Sequence, residues 1–311
     1  MLHEKENTGN MSICILLSTY NGGNYLEEQL KSIEQQETNE EISLFIRDDG
    51  SSDHTIEILE KYIHSSSLNI SYFQGEHLGP SGSFLELIFN APAMDYYAFC
   101  DQDDVWKPGK LSAAVNSLKD QVEPALWICN FDATDENLNT IEAELLITGT
   151  PELHKVLFDN FWPGCAMVFN KLLLNEIRKV GIHFFNMHDV LALSVALLSG
   201  KVIIEKGTYV LYRQHAHNAM GLYKKIGLTG KIRKAFMIAF SGTLYNYSTF
   251  ARRIMEIYHE RLSDYEKNEL RLIRDYRKGF NKLRLLKQPY VRNREGHISK
   301  SIMLMILLGK L

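Results

Sequence analysis

Between residues 12 and 104, short apolar runs alternate with segments whose apolar positions recur at helical spacing. Residues 12–18, Ser-Ile-Cys-Ile-Leu-Leu-Ser, predict a buried strand. Leu26, Leu30 and Ile33 then mark a helix, with Asn24 as its N-cap and Glu27 completing a capping box. Residues 42–46 predict a second strand, followed by a helix that Ser52 or Asp53 caps and that carries Ile56, Leu59 and Ile63. A third strand at 69–73, a helix marked by Phe84, Leu87 and Ile88, and a fourth strand at 96–100 complete the series. Pro108 suits the first turn of a further helix.

This βαβαβαβ order implies an α/β fold: a mainly parallel central sheet with helices on both faces. Ligands of such sheets bind beyond the carboxyl ends of the strands. Three predicted strands end there in polar residues: Thr19-Tyr20-Asn21, Arg47-Asp48-Asp49, and Asp101-Gln102-Asp103-Asp104. Polar groups from separate strands at one edge suggest one site.

Beyond residue 104 the regularity weakens. Strands are expected at 126–131, at 161–170 with a glycine kink, at 201–204 and at 208–212. His188-Asp189 opens an apolar helix closed by Gly200, and the last strand runs into Arg213-Gln214-His215. From residue 222 the chain reads as helical and basic. Its final segment, 298–311, is apolar but shorter than the ~20 residues of a membrane span. The expected division is a flexible tail at 1–11, a catalytic domain at 12–221 and a basic helical region at 222–311. The domain splits into a nucleotide half at 12–104 and an acceptor half at 105–221.

Composition narrows the class. The 311 residues are 45% hydrophobic and 23% charged, which excludes a disordered, collagenous or coiled-coil chain. The first ten residues are polar and lack a signal-peptide core, so a cytoplasmic protein is expected. Cys14, Cys100, Cys129 and Cys165 lie in apolar or small-residue segments without C-x-x-C spacing, and read as buried reduced thiols. The net charge of -4 hides an asymmetry. Residues 222–311 hold 20 Lys and Arg against 7 Asp and Glu, a net of +13, whereas residues 1–221 carry -17. A basic tail on an acidic body suggests contact with an anionic surface, nucleic acid or membrane.

Each polar cluster has an ordinary reading beside a functional one. Asp101-Gln102-Asp103-Asp104 is either a solvated turn with a helix cap or a divalent-cation site; three crowded carboxylates need a counter-charge. In an extended loop Asp101 and Asp103 face the same way. Arg47-Asp48-Asp49-Gly50 is a turn or a nucleotide contact, Gly50 allowing close approach. Asp189 is an N-cap or a general base. His215 is an exposed loop residue or a metal ligand with His217 as its substitute, and Arg213 a phosphate contact.

Taken in order, these segments resemble the family 2 glycosyltransferases of GT-A fold, particularly the bacterial rhamnosyltransferase-like branch. The matching residues are Ser18-Thr19-Tyr20-Asn21-Gly22, Ile46 to Asp53, Leu78-Gly79-Pro80, Phe99 to Trp106, Gly164 to Met167, His188-Asp189 and Tyr212 to His215. The resemblance spans about residues 13–221 and implies sugar transfer with inversion from a nucleotide diphosphate, with Mg²⁺ or Mn²⁺. It implies a donor site at Thr19, Tyr20, Asn21, Arg47, Asp49, Gly79, Asp101, Gln102 and Arg213. It makes Asp103 the principal metal ligand with His215 beside it, and Asp189 the base. It sets Trp106, Gly164, Cys165 and His188 at the acceptor. On branch resemblance the donor is dTDP-rhamnose, with UDP-sugars open, and the acceptor a cell-surface polysaccharide or lipid-linked glycan.

Two positions depart from the family: Gly82 stands where relatives often carry Lys, and His188 where many carry Glu. A histidine there would make activity pH-sensitive. The basic run Lys224, Lys225, Lys231, Arg233 and Lys234, with the segment 298–311, is read as a peripheral contact with the inner membrane face or as packing on protein, including a homodimer interface. Nucleic acid is not expected, because the tail lacks an RNA-binding or zinc pattern. A sugar nucleotidyltransferase would need basic residues after the first strand, and Thr19 to Gly23 has none. A binding protein without activity would have lost the base or a metal group.

Overall fold

The computed structural model describes residues 11–145, 151–159, 161–181, 187–215, 247–293 and 296–311. The first half runs β1 (Ser12–Thr19), α1 (Leu26–Glu34), β2 (Glu41–Asp48), α2 (Thr55–Ser65), β3 (Asn69–Gln74), α3 (Gly79–Asn90) and β4 (Tyr96–Asp101). There follow β5 (Val105–Trp106), α4 (Lys110–Leu118), β6 (Ala125–Thr134), β7 (Thr140–Glu142), α5 (Leu153–Phe158), a 3-10 turn at Gly164–Ala166, β8 (Met167–Asn170), α6 (Lys171–Val180), α7 (His188–Ser199) and β9 (Lys201–Arg213). The C-terminal helices are α8 (Tyr247–Ile257), α9 (Asp264–Arg274), α10 (Asn281–Leu286) and α11 (Lys300–Leu308).

The strands form one sheet in the order β3-β2-β1-β4-β8-β6-β9-β5, with β7 beside β6. Six of them, β1, β2, β3, β4, β6 and β9, run in one direction, and β5, β7 and β8 run against them. The expected α/β class with a mainly parallel sheet therefore holds. Register builds the functional edge. β1 lies between β2 and β4, with Thr19 opposite Asp48 and Ser18 opposite Asp101. β9 ends at the same edge, and β5 pairs with it so that Val105 faces Leu211. The Asp103-Asp104 turn thereby comes against Arg213.

The interior explains the continuous apolar runs. Ile13 to Leu17 in β1 and Tyr97 to Cys100 in β4 are buried on both faces, as a helix-covered sheet requires. All four cysteines are buried free thiols.

Several boundaries differ from the sequence reading. Asn24 is not the N-cap of α1; Tyr25 holds that position without a side-chain cap, and Glu27 pairs with Lys31 at 2.9 Å instead. Residues 161–166 are not strand. The two strands expected in 201–212 are one strand whose pairing with β6 shifts register near Asn130. Helix α6 was missed, although Asn170 accepts from the Leu173 amide as its N-cap and Gly181 ends it in a left-handed turn.

The C-terminal helices join the same apolar core through Tyr247, Phe250, Ile254 and Leu270. Arg253 donates to Val180 O at 3.1 Å and Arg261 to Ser199 O at 2.8 Å, so basic residues fasten them onto α6 and α7. The tail at 1–10, His217 and the basic run from Lys224 to Lys234 lie outside the described residues. Among the described residues no helix is long and apolar enough to cross a membrane.

Candidate active site

The residues expected at the donor fall into two groups. Tyr20 and Asn21 lie exposed at the rim of the β1 edge. Gln102 ties Tyr20 down with both amide atoms: Oε1 accepts from the Tyr20 amide at 2.8 Å and Nε2 donates to its carbonyl at 2.9 Å. Thr19, Arg47 and Asp49 are buried and shape the edge from beneath. Thr19 Oγ1 donates to Asp48, which also accepts from the Ser51 amide at 2.8 Å. The Asp49 carboxylate pairs with Arg47 and accepts from the Leu78 and Gly79 amides, both at 2.8 Å. Asp49 thus occupies the N-terminus of α3, where peptide dipoles favour an anion. His77 Nδ1 reaches the same carboxylate at 2.9 Å, and its ring lies 4.2 Å from that of Tyr20. Sequence reading missed His77; nothing in its spacing separates it from a loop residue.

The acidic turn is tighter than an extended loop. Residues 102–103 form a turn, so the side chains that converge are Asp101 and Asp104, not Asp101 and Asp103. Ligand atoms of Asp101, Asp104 and Cys165 lie within 4.8 Å of one another. Asp103 turns instead to His215, with Oδ2 2.8 Å from Nε2. Burial, then the charges of Asp104, Asp103 and Asp189, push Asp101 well above the ordinary carboxylate range. Burial and Asp103 push Asp104 up to about 7. Its Oδ2 is buried without a hydrogen-bond partner among the described residues. The carboxylates of Asp101 and Asp104, converging beside the Cys165 thiol, offer the oxygen donors that a hard divalent cation such as Mg²⁺ or Mn²⁺ takes.

Two cations of the chain support this turn. Arg213 is buried, and its Nε donates to Asp103 O at 2.8 Å while its backbone amide donates to Asp104 Oδ1 at 3.0 Å. Its guanidinium also pairs with Glu28 and lies 4.7 Å over the Tyr25 ring. It braces the turn rather than presenting a free face to phosphate. Lys110, missed from sequence because it reads as an ordinary helix residue, is fully buried. Its Nζ donates to Cys165 O and sits 3.2 Å from the centre of the Trp106 ring. Trp106 is correspondingly buried and supports the site from below instead of lining an acceptor wall.

Gly164, Cys165 and His188 are also buried. The His188 ring stacks on Phe84 at 3.7 Å and meets Phe99 edge-on at 4.6 Å. A Cβ at Gly164 would overlap His188 Nε2, so only glycine lets the turn pass this ring. Burial lowers the His188 pKa to about 3. The imidazole is neutral at working pH, and the expected pH-sensitivity from this position gives way to a packing role. Asp189 follows in the first turn of α7, not at its N-cap, which is Met187. Gly82 is buried in α3, and an added Cβ would come within 2.6 Å of Leu78 Cβ, so the lysine of relatives has no room here without a local shift.

The mixed α/β sheet is that of GT-A transferases, and an acidic turn lies at its carboxyl edge. The chain belongs to the glycosyl transferase family 2, whose profile it matches over residues 14–178. It is 31% identical over 242 residues to the dTDP-rhamnosyl transferase RfbG of Shigella flexneri, covering 68% of this chain and 78% of that one. It is 33% identical over 219 residues to an uncharacterized glycosyltransferase of Nostoc sp., covering 67% and 66%. Its fold is similar to that of S. aureus TarS residues 1–349 in complex with UDP-GlcNAc, with a TM-score of 0.54 and 13% identity, covering 96% of this chain and 90% of that one. It is also similar to a mannosyltransferase of Pyrobaculum calidifontis in complex with GDP-Man and Mn2+, with a TM-score of 0.53 and 15% identity, covering 90% and 73%.

Proposed function

We propose that the chain is a metal-dependent inverting glycosyltransferase that moves L-rhamnose from dTDP-rhamnose to a polysaccharide or lipid-linked glycan. The observation that carries this reading is the acidic turn Asp101-Asp103-Asp104 at the carboxyl edge of the sheet, with the charge of Asp189 from the first turn of α7 raising the pKa of Asp101 further. Tyr20 and His77 offer ring surface to the donor base, and Gln102 fixes the backbone between them and the acidic turn. Asp103 and His215 would hold the divalent cation, with Asp101 and Asp104 adding negative charge around it. A cation held there would supply stabilisation of charge on the departing diphosphate. Asp189 takes the proton of the attacking acceptor hydroxyl. A single displacement needs one base and no enzymic nucleophile, which gives inversion at the anomeric carbon. The rhamnosyl donor is supported by the 31% identity to RfbG.

The test is donor binding and turnover with dTDP-rhamnose and a panel of UDP- and GDP-sugars, with and without Mg²⁺ or Mn²⁺. Metal-dependent stabilisation by dTDP-rhamnose, lost in Asp103→Ala, is the expected result. A response to a UDP-hexose alone would replace the donor. Product of retained anomeric configuration would overturn the single displacement.

A further inference from the structure

The C-terminal helices carry an apolar face that the catalytic domain leaves uncovered. Helix α11 is not free to lie flat in a bilayer: Ile302, Met305 and Ile306 are buried in the core. Its other edge, Met303, Leu307 and Leu308, is exposed. Next to that edge stand Phe280, 81% exposed, and Leu283, 53% exposed. They are brought together by hydrogen bonds between the two segments. Lys282 Nζ donates to Leu307 O at 2.7 Å, and Arg277 Nε donates to Gly309 O at 3.0 Å. These cations cap the carboxyl end of α11, where carbonyls lack helical partners. Gly279, at φ +51, turns the chain between α9 and α10, and Phe280 follows it into solvent.

The two segments that carry this face have charges of one sign. Residues 277–287 contain Arg277, Lys278, Lys282, Arg284 and Lys287 and no acidic residue; residues 300–311 contain Lys300 and Lys310 and none either. The nearest carboxylate in sequence, Asp275, is shared by Arg274 and Lys278. A protruding phenylalanine and four exposed apolar side chains, carried on segments whose charges are all basic, match an anionic lipid surface. Apolar tips enter the headgroup boundary and lysines meet lipid phosphates and carboxylates. A nucleic acid would use the cations but not the aliphatic edge.

We propose that this face docks the protein on anionic bilayers, with Phe280, Leu283, Leu307 and Leu308 entering the interface and Arg284 and Lys287 meeting the headgroups. This contact is separate from the donor chemistry, and vesicle binding tests it without turnover. The experiment is co-sedimentation of the full chain with vesicles of phosphatidylcholine alone or containing a third phosphatidylserine. The wild type should bind the anionic vesicles and be released by raised salt. Phe280→Ser/Leu283→Ser and Arg284→Glu/Lys287→Glu should each lower the partition coefficient on the order of ten-fold, since each surface charge or buried apolar group contributes several-fold. These side chains lie outside the core, so circular dichroism and donor binding should stay unchanged. Undiminished vesicle binding in both variants would overturn the assignment, as would no binding by the wild type. A concentration-dependent dimer in sedimentation velocity, dissolved by Phe280→Ser/Leu283→Ser, would also overturn it and make the face a subunit interface.

Discussion

Replacing His188 by leucine should flatten the acid branch of the stability curve. The imidazole lies between Phe84 and Phe99 with neither ring nitrogen hydrogen-bonded among the described residues. Burial takes its pKa from 6.5 to about 3. Between these values the unfolded chain binds a proton that the folded chain refuses. Stability contributed by the neutral ring is therefore complete above pH 6.5 and falls as pH drops toward 3. At pH 5 the loss is about 2 kcal/mol, from one and a half pH units at ~1.4 kcal/mol each. His188→Leu removes this dependence. At pH 8 the variant should lie close to the wild type, because relieving two unsatisfied nitrogens, worth about 1–3 kcal/mol each, offsets the lost ring contacts. The assay is urea unfolding of both proteins at pH 8, 7, 6 and 5, with equal m-values as the control. The gap between them should change by about 2 kcal/mol from pH 8 to pH 5, in favour of leucine. Parallel curves would mean that the folded protein protonates His188 as readily as the unfolded chain does, and that the closed aromatic slot is wrong.

Gly164→Ala should cost about 1–3 kcal/mol, because its Cβ meets His188 Nε2, and His188→Ala in the same chain should recover much of it. Additive losses in thermal denaturation would separate the two residues. Asn170→Ala should cost about 2 kcal/mol. Its side chain caps α6 and also joins Ala125 N at 3.0 Å to Glu123 O at 2.8 Å, so an unchanged Tm would contradict that junction. Asp189→Asn should lower kcat about 10²- to 10⁴-fold with donor binding retained, as loss of a general base requires. An equal loss in donor affinity would move Asp189 from base to donor contact. Gln102→Ala should raise the donor KM several-fold while leaving the pH profile unchanged, because it frees Tyr20 without touching the base.

The first four strands and their helices were legible because burial on both sheet faces demands unbroken apolar runs such as Ile13 to Leu17. The polar endings of those strands pointed to one edge for the same reason: parallel crossovers return every strand in the same direction. What periodicity missed were short or interrupted elements. β5 has two residues, and β9 keeps one strand through a register shift that breaks its alternation. α6 carried readable caps and was overlooked.

Sequence by itself determined the family and the chemical types at the edge: aspartates after two strands, a carboxylate opening an apolar helix, an Arg and a His after the last strand. Their partners came only from the tertiary structure. Asp49 lies in a loop after a strand, yet it caps α3 across the fold, since the helix amides that receive it are about thirty residues away. Asp101 meets Asp104 because a turn brings residues three apart together, where an extended chain would have paired Asp101 with Asp103. His188 reads as polar, but the close approach of Phe84, Phe99 and Gly164 strips it of water and of charge. Side-chain type is written along the chain; desolvation and pairing depend on contacts between segments far apart in sequence, and those exist only once the chain has folded.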